Sequence, residues 1–138
     1  MQKDLNILIV DDEQELRSTI VSVMTQIFSD KNLNLIEATN GIEALEKFQH
    51  HNFDLVLMDV RMPEMDGLET LEKIKEKDPS TFVVIMTAHS NLNDAVQAIK
   101  LGAYDYLEKP VETGKLQEIV LKALEAREMV SELTVNLP

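Results

Sequence analysis

The segment NILIVDD, at residues 6–12, is a continuous apolar run that stops abruptly on Asp11 and Asp12. A second run of this kind, LVLM at residues 55–58, stops on Asp59. Short, uninterrupted apolar runs are typical of strands that are buried on both faces of a parallel sheet. If the two strands are neighbours, three carboxylates meet at one edge, where they repel each other unless a cation or a proton neutralises them. The pattern therefore predicts a metal site.

Strand and helix patterns alternate along the rest of the chain. The predicted strands cover residues 6–10, 33–38, 55–58, 82–86 and 104–107, and the predicted helices cover residues 13–28, 42–50, 68–77, 92–101 and 113–129. Asp12, followed by Glu15, is expected to cap the first helix. The alternation is typical of an α/β, doubly wound, five-stranded parallel sheet with helices on both faces. Ligands of such sheets bind beyond the carboxyl ends of the strands, where we expect Asp11, Asp12, Asp59, Thr87 and Lys109.

The composition narrows the classes of protein to which the chain can belong. Its 138 residues are enough for one domain. The 13 Lys and Arg against 25 Asp and Glu give a net charge of −12, which disfavours direct binding to nucleic acid or anionic lipid and favours divalent cations and basic partners. The lack of cysteine excludes disulfides, thiolate metal ligands and cysteine nucleophiles. Without a secretory signal or a run of membrane-spanning length, the chain is expected in the cytoplasm and away from the membrane.

The residues expected at the sheet edge fit phosphoryl transfer. Mg²⁺ prefers oxygen ligands and typically takes one or two carboxylates together with phosphate oxygens. A carboxylate beside the metal can attack phosphorus and form an aspartyl phosphate. Positive charge from the metal and from Lys109 would stabilise the charge that spreads over the equatorial oxygens, and Thr87 could donate a hydrogen bond to one of them.

Four motifs connect these residues to a known family. ILIVDDE, LVLMDVRMPEMDG, VVIMTAH and GAYDYLEKP occur in this order between residues 7 and 110, and the similarity to the family extends from residue 6 to about 127. With them the chain resembles the response-regulator receiver domains of bacterial two-component signalling. The resemblance implies a flavodoxin-like receiver fold with strand order 2-1-3-4-5 and makes Asp59 the phosphoacceptor. It also implies a Mg²⁺ site in which Asp12 is a direct ligand, Asp11 acts largely through metal-bound water, and the backbone carbonyl of Arg61 is a further ligand.

The same resemblance assigns roles to residues around the phosphoacceptor. Thr87 and Lys109 would contact phosphoryl oxygens, and Tyr106 would be the switch aromatic. Arg61 and His89, two residues after the phosphoacceptor and after Thr87, would modulate the chemistry. Arg61 is expected to slow the hydrolysis of the acyl phosphate, although an arginine that only lies in solvent is the competing interpretation.

The function implied by the resemblance is a switch activated by phosphorylation. A sensor histidine kinase or a phosphotransfer protein would donate the phosphoryl group, and the surface of the fourth helix, fifth strand and fifth helix would then control an output domain or a downstream protein. The chain would catalyse only its own phosphorylation and dephosphorylation, so it would not be an enzyme in the usual sense. Residues 86–110, MTAHSNLNDAVQAIKLGAYDYLEKP, most resemble receivers attached to enhancer-binding transcriptional activators.

The last predicted helix carries a heptad-like pattern that continues beyond the length a receiver needs. The apolar positions are Leu116, Ile119, Ala123, Ala126, Val130 and Leu133. We therefore assign residues 1–127 to a receiver domain and residues 128–138 to a helical extension or a linker, which could lead to an output domain or form a homodimer. The alternative is that the first part of the helix packs on the sheet while residues 131–138 fray.

Other interpretations stay open from the sequence alone. Taken singly, Asp12 could be only a helix cap, Asp59 or Thr87 a turn residue, Tyr106 a packing residue and Lys109 a solvated cation. A Mg²⁺-dependent phosphatase-like hydrolase generally has its second acid two positions after the nucleophile, whereas Asp11 and Asp12 are adjacent. A receiver that acts as an unphosphorylated binding module would be expected to lack one of the acids or the lysine.

Overall fold

The computed structural model describes residues 4–135, and within them the strands form one five-stranded parallel sheet. The strands are β1 (Asp4–Val10), β2 (Asn32–Ala38), β3 (Leu55–Asp59), β4 (Phe82–Ala88) and β5 (Asp105–Lys109). They lie in the order β2-β1-β3-β4-β5, and every neighbouring pair is parallel. The doubly wound fold with strand order 2-1-3-4-5 is therefore confirmed.

Helices cover both faces of the sheet. They are α1 (Gln14–Ile27), α2 (Gly41–His50), α3 (Gly67–Lys77), α4 (Leu92–Lys100) and α5 (Thr113–Val135), with a single 3₁₀ turn, His89–Asn91, before α4. The prediction that Asp12 caps α1 is wrong. The N-cap residue is Glu13, whose side chain makes no capping hydrogen bond, and its backbone N–H donates to Asp11 Oδ1 at 2.8 Å. The carboxylate of Asp11, two residues before the N-cap residue, therefore satisfies this backbone donor.

Alternate residues of the buried strands face two separate aliphatic cores. Leu8, Val56 and Val83 belong to the core under α2, α3 and α4, while Ile7, Leu57 and Val84 belong to the core under α1 and α5. All five residues of β3 are buried, because helices cover both faces of this central strand. Within the described part of the chain, residues 4–135, no helix combines the length and the apolarity needed to cross a membrane.

The sheet register brings the ends of the strands to one edge. Val10 is opposite Met58 in the β1–β3 pair, so Asp11 follows at the level of Asp59. Strands β4 and β5 both run beyond their apolar stretches, because Thr87 and Ala88 pair with Glu108 and Lys109. Thr87 consequently lies within β4 and Lys109 is the last residue of β5, whereas the apolar pattern had predicted strand ends at residues 86 and 107. Pairing with a neighbouring strand, rather than hydrophobicity, extends these two strands.

The first half of α5 packs on the sheet. Leu116, Val120 and Ala123 are buried, and Val120 is not a member of the heptad-like pattern. Val130 and Leu133, which are members, are 49% and 68% exposed. The helix continues to Val135 rather than ending at residue 129 or fraying from residue 131, and residues 136–138 lie outside the described part of the chain. The division into residues 1–127 and 128–138 stays a prediction.

Candidate functional site

Lys109 lies at the centre of the site. Its Nζ is 2.8 Å from Asp59 Oδ2 and 2.9 Å from Asp11 Oδ2, and Glu13 Oε1 lies 3.4 Å away. Three strands deliver these groups, since Asp59 ends β3, Asp11 follows β1 and Lys109 ends β5. The side chains of Asp11, Asp59 and Lys109 are only 0%, 8% and 18% exposed. The sheet edge therefore holds a largely buried group of two carboxylates around one ammonium.

Burial and mutual charge perturb the protonation of this group. Burial raises the pKa of Asp11, the nearby Asp59 charge raises it further, and the hydrogen bond from the Glu13 N–H and the proximity of Lys109 oppose the change. For Lys109, burial works against the charged form, but the close contacts with Asp59 and Asp11 and the charges of these two carboxylates outweigh it and raise the pKa. Lys109 is therefore positively charged at neutral pH, and it neutralises only part of the negative charge around it.

The acids nearest to Asp11 form a cluster that could hold a cation. Asp11, Asp12 and Glu13 each have a carboxylate oxygen within 4.8 Å of the other two. Asp12 is exposed and lines a cleft of about 470 Å³ together with Arg61 and Asp94. Sequence reasoning placed Glu13 only at the start of the first helix and missed it as a site residue, although the run of three consecutive acids could have indicated it.

The chemistry of this cluster fits Mg²⁺. Asp11 Oδ2 is buried and accepts no hydrogen bond of acceptable geometry from the residues that the structure describes, although Lys109 Nζ is close to it. A buried anionic oxygen in this state is stabilised by a cation, and carboxylate oxygens are the ligands that Mg²⁺ prefers. Asp11 and Asp12 therefore fit a magnesium site. Glu13 Oε1 could contribute a third carboxylate, while the Arg61 N–H donates to Asp59 Oδ1 at 3.1 Å and holds that backbone next to the phosphoacceptor candidate.

The side chains that hydrogen-bond to the Asp59 carboxylate do not include those of Thr87 and Tyr106; among the described residues its partners are the Arg61 N–H and Lys109 Nζ. Thr87 is buried, and its Oγ1 donates to the Asn91 carbonyl at 3.1 Å, at the start of α4. Tyr106 lies on β5 with 40% of its surface exposed. The structure therefore brings Thr87 to the right edge of the sheet but turns its hydroxyl toward α4 instead of toward the carboxylates.

Arg61 and His89 lie on the rim of the site and contact neighbouring elements. Arg61 Nε is 2.9 Å from Asp94 Oδ2, in the first turn of α4, and the arginine side chain is 67% exposed. His89 Nδ1 contacts Glu108 Oε1 on β5, and the histidine side chain is 84% exposed. Neither prediction of a modulating role is tested by these contacts, but sequence reasoning missed both acidic partners because they lie far away in the chain.

Comparison with known proteins assigns the family. The family model described as the response regulator receiver domain matches residues 7–121. The chain belongs to this family. It is thus a receiver domain of two-component signalling, and the acidic edge described above corresponds to the edge at which the fold class binds ligands.

Similar proteins include a transcriptional regulatory protein much longer than this chain and a chemotaxis protein that the match covers almost completely. The transcriptional regulatory protein ZraR of Klebsiella oxytoca is 43% identical over 122 residues, which cover 88% of this chain and 27% of ZraR. The chemotaxis protein CheY of Listeria monocytogenes is 39% identical over 120 residues, which cover 86% of this chain and 98% of CheY. The crystal structure of NtrX from Brucella abortus superimposes with a TM-score of 0.85 at 31% identity, covering 96% of this chain and 29% of NtrX. The receiver domain therefore spans little more than a quarter of ZraR and of NtrX.

Proposed function

We propose that Asp59 is the phosphoacceptor of this receiver domain and that its phosphorylation is Mg²⁺-dependent. The observation that carries the proposal is the position of Lys109, whose ammonium lies 2.8 Å from Asp59 Oδ2 beside the buried carboxylate of Asp11. A carboxylate nucleophile, an adjacent cation and a cluster of oxygen ligands are the groups that phosphoryl transfer to an aspartate requires.

The donor is a phosphohistidine on a sensor histidine kinase or a phosphotransfer protein. In the transfer, a carboxylate oxygen of Asp59 forms a bond to phosphorus while the bond between phosphorus and the donor imidazole nitrogen breaks. The imidazole leaves with the electron pair of that bond and takes a proton from solvent. The receiver domain catalyses its own phosphorylation and dephosphorylation, and it does not turn over unrelated substrates.

The charged residues stabilise the transferred group. Mg²⁺ would be held by Asp11, Asp12, Asp59 and the backbone carbonyl of Arg61, and it supplies positive charge to the phosphoryl oxygens when it is bound. Lys109 exchanges its contact with Asp59 Oδ2 for a contact with a phosphoryl oxygen. Lys109 is positively charged before the transfer, because its contacts with Asp59 and Asp11 raise its pKa, and the phosphoryl oxygens then replace Asp59 as its anionic partner.

Thr87 couples phosphorylation to the output surface, which is formed by α4, β5 and α5. The phosphoryl oxygens offer the Thr87 hydroxyl a charged acceptor in place of the neutral Asn91 carbonyl that it now contacts at 3.1 Å. When the hydroxyl turns inward, it releases the start of α4 and leaves space into which Tyr106 rotates. The result is a population shift between two packings of the output surface, biased by contacts that only the phosphorylated protein offers.

Arg61 and His89 modulate this cycle from the rim. Arg61 leaves Asp94, shields the acyl phosphate from water and slows its hydrolysis. Because the Arg61 side chain is exposed, breaking its ion pair with Asp94 costs little free energy. His89, which is paired with Glu108, acts from its position two residues after Thr87.

The output is the control of transcription. ZraR is a transcriptional regulatory protein, and this chain corresponds to about a quarter of its length, which supports a receiver that acts on an output domain of the enhancer-binding class or on a downstream protein in the cytoplasm. The part of α5 beyond residue 127 links the two or contributes to a homodimer formed on phosphorylation. Met129, Val130 and Leu133, which are exposed apolar residues, support a partner at this end of the helix.

Mass spectrometry after incubation with acetyl phosphate and Mg²⁺ tests the phosphoacceptor. Wild-type protein should gain one phosphoryl group, which is lost when EDTA replaces Mg²⁺ and in Asp59→Asn. Asp54→Asn is the matched control, because Asp54 directly precedes β3, at the end of this strand opposite to Asp59, and its replacement should leave phosphorylation intact. The proposal is wrong if the wild type gains no phosphoryl group or if Asp59→Asn gains one. Catalytic release of phosphate from an unrelated ester would instead support a phosphatase-like hydrolase.

A further inference from the structure

Arg17, a residue of α1, contacts the backbone of the acidic cluster. Its Nη1 donates to the Asp11 carbonyl oxygen at 2.6 Å, and its Nε is 3.0 Å from Glu37 Oε1 on β2. The arginine side chain is only 12% exposed. A cation is therefore held against the acidic edge through the backbone of Asp11, and its orientation is fixed by an acid on the neighbouring strand.

Asp11 is held at every polar atom of its backbone. Its N–H donates to the Ala38 carbonyl at 3.1 Å, at the end of β2, and its carbonyl oxygen accepts from Arg17. The carbonyl of Asp11 and the N–H of Asp12 belong to the same planar peptide group. By fixing the orientation of that carbonyl, Arg17 also fixes the direction in which the chain leaves toward Asp12. Both candidate ligands thus depend on one peptide plane.

We propose that Arg17 is a positioning residue for the Mg²⁺ site, acting through the Asp11–Asp12 peptide group. The inference rests on the proposed function, since it assumes that the acidic cluster binds Mg²⁺. Residues behind metal ligands orient them, and replacing such residues commonly weakens metal affinity by roughly 10- to 100-fold. Arg17 would have this role although its guanidinium never touches the ion.

The sign of the effect separates positioning from simple electrostatics. A positive charge close to a divalent cation repels it, so the loss of the Arg17 charge alone would tighten Mg²⁺ binding. The loss of a positioning residue weakens Mg²⁺ binding instead, because ordering the two carboxylates around the ion then costs conformational entropy. A purely structural role would lower the free energy of unfolding and leave the Mg²⁺ affinity unchanged.

Isothermal titration of the full chain with MgCl₂ tests the inference, with urea unfolding in the absence of Mg²⁺ as the measure of stability. Arg17→Met, which keeps the length of the side chain but removes charge and donors, should raise the Mg²⁺ dissociation constant roughly tenfold. Arg127→Met is the matched control, because Arg127 is also largely buried and pairs with Asp54 at 2.8 Å, at the opposite end of the sheet. It should lower stability without changing the dissociation constant.

Arg17→Lys gives the answer if Arg17→Met does not fold. It keeps the charge, so electrostatics predicts unchanged Mg²⁺ affinity, whereas the loss of the two-donor geometry predicts a dissociation constant between those of the wild type and Arg17→Met. Unchanged or tighter binding in the folded variants overturns the role of Arg17 while leaving the proposed function intact. A wild-type protein that takes up no Mg²⁺ at all would overturn both.

Discussion

Gly67, the first residue of α3, leaves no room for a side chain unless its neighbours shift, because the helix begins against the backbone of the phosphoacceptor candidate. A Cβ at this position would lie 2.4 Å from the Asp59 carbonyl oxygen and 2.7 Å from Val60 Cα. The first distance is about 1 Å shorter than an ordinary van der Waals contact. The Gly67 N–H also donates to the Val60 carbonyl at 2.7 Å, so the helix cannot move away without losing this hydrogen bond.

Gly67→Ala should lower the free energy of unfolding by about 1–2 kcal/mol. Overpacking against a rigid backbone destabilises the fold by about 1–3 kcal/mol. The replacement of glycine by alanine in a helix stabilises it by about 0.5–1 kcal/mol, which offsets part of this loss. The atoms that must move are those of Asp59 itself, so we also expect slower phosphorylation by acetyl phosphate. A surface substitution that only lowers stability would not slow phosphorylation.

Urea unfolding of Gly67→Ala and Gly114→Ala measures the effect against a matched control. A Cβ at Gly114, in the first turn of α5, meets no atom within 4 Å, so this variant should be more stable than the wild type by about 0.5 kcal/mol. If Gly67→Ala is as stable as Gly114→Ala and is phosphorylated at the wild-type rate, the inference that α3 lies too close to the Asp59 backbone for a Cβ is wrong.

Three further predictions concern the switch, the acyl phosphate and the base of the sheet. Thr87→Ala should lower the free energy of unfolding by about 1 kcal/mol, because the hydrogen bond to the Asn91 carbonyl is lost. The variant should still be phosphorylated, but phosphorylation should no longer change hydrogen exchange in α4; a change equal to that of the wild type would refute the coupling. Arg61→Ala should shorten the lifetime of the aspartyl phosphate several-fold while Asp94→Ala, which only frees Arg61, should not; equal lifetimes in the wild type and Arg61→Ala remove the shielding role. The pKa of Asp78 is lowered, because hydrogen bonds from Ser80 and Thr81 outweigh its burial. Its contribution to stability is full above the unfolded value of 3.8 and is lost as pH falls through the lower, folded pKa. In urea titrations, Asp78→Ala should therefore lower the free energy of unfolding by about 1–2 kcal/mol at pH 7, and by progressively less as the pH is lowered below 3.8; a deficit independent of pH would contradict this.

The main elements of the fold could be predicted from the sequence, while several partners of the site residues could not. The apolar runs marked β1 and β3, and the parallel arrangement implied that Asp11 and Asp59 lie at one edge. The prediction that Asp12 caps the first helix followed from the spacing of polar residues along the chain. In the structure the Glu13 N–H donates to the Asp11 carboxylate instead. Glu13 was not predicted as a member of the acidic cluster, because the sequence pattern assigned it only to the start of the first helix.

Contacts between distant residues account for the other differences. Arg17 pairs with Glu37, and Arg61 pairs with Asp94 across 33 positions of sequence. Such pairs leave no periodic pattern, because nothing in the local sequence selects one acid among the 25 that the chain contains. The direction of the Thr87 hydroxyl is likewise set by the Asn91 carbonyl, which is positioned by the packing of α4.

The sequence by itself determined where strands and helices alternate, and therefore that three acids and a lysine lie at or just beyond the carboxyl ends of the strands, at one edge of a parallel sheet. These properties depend on hydrophobicity and period, which each segment carries along its own length. Only the tertiary structure decided which oxygen Lys109 contacts, which peptide Arg17 holds and where Thr87 points. A polar group takes the partner that three-dimensional packing leaves within about 3 Å, and that choice is made only when separate elements come together.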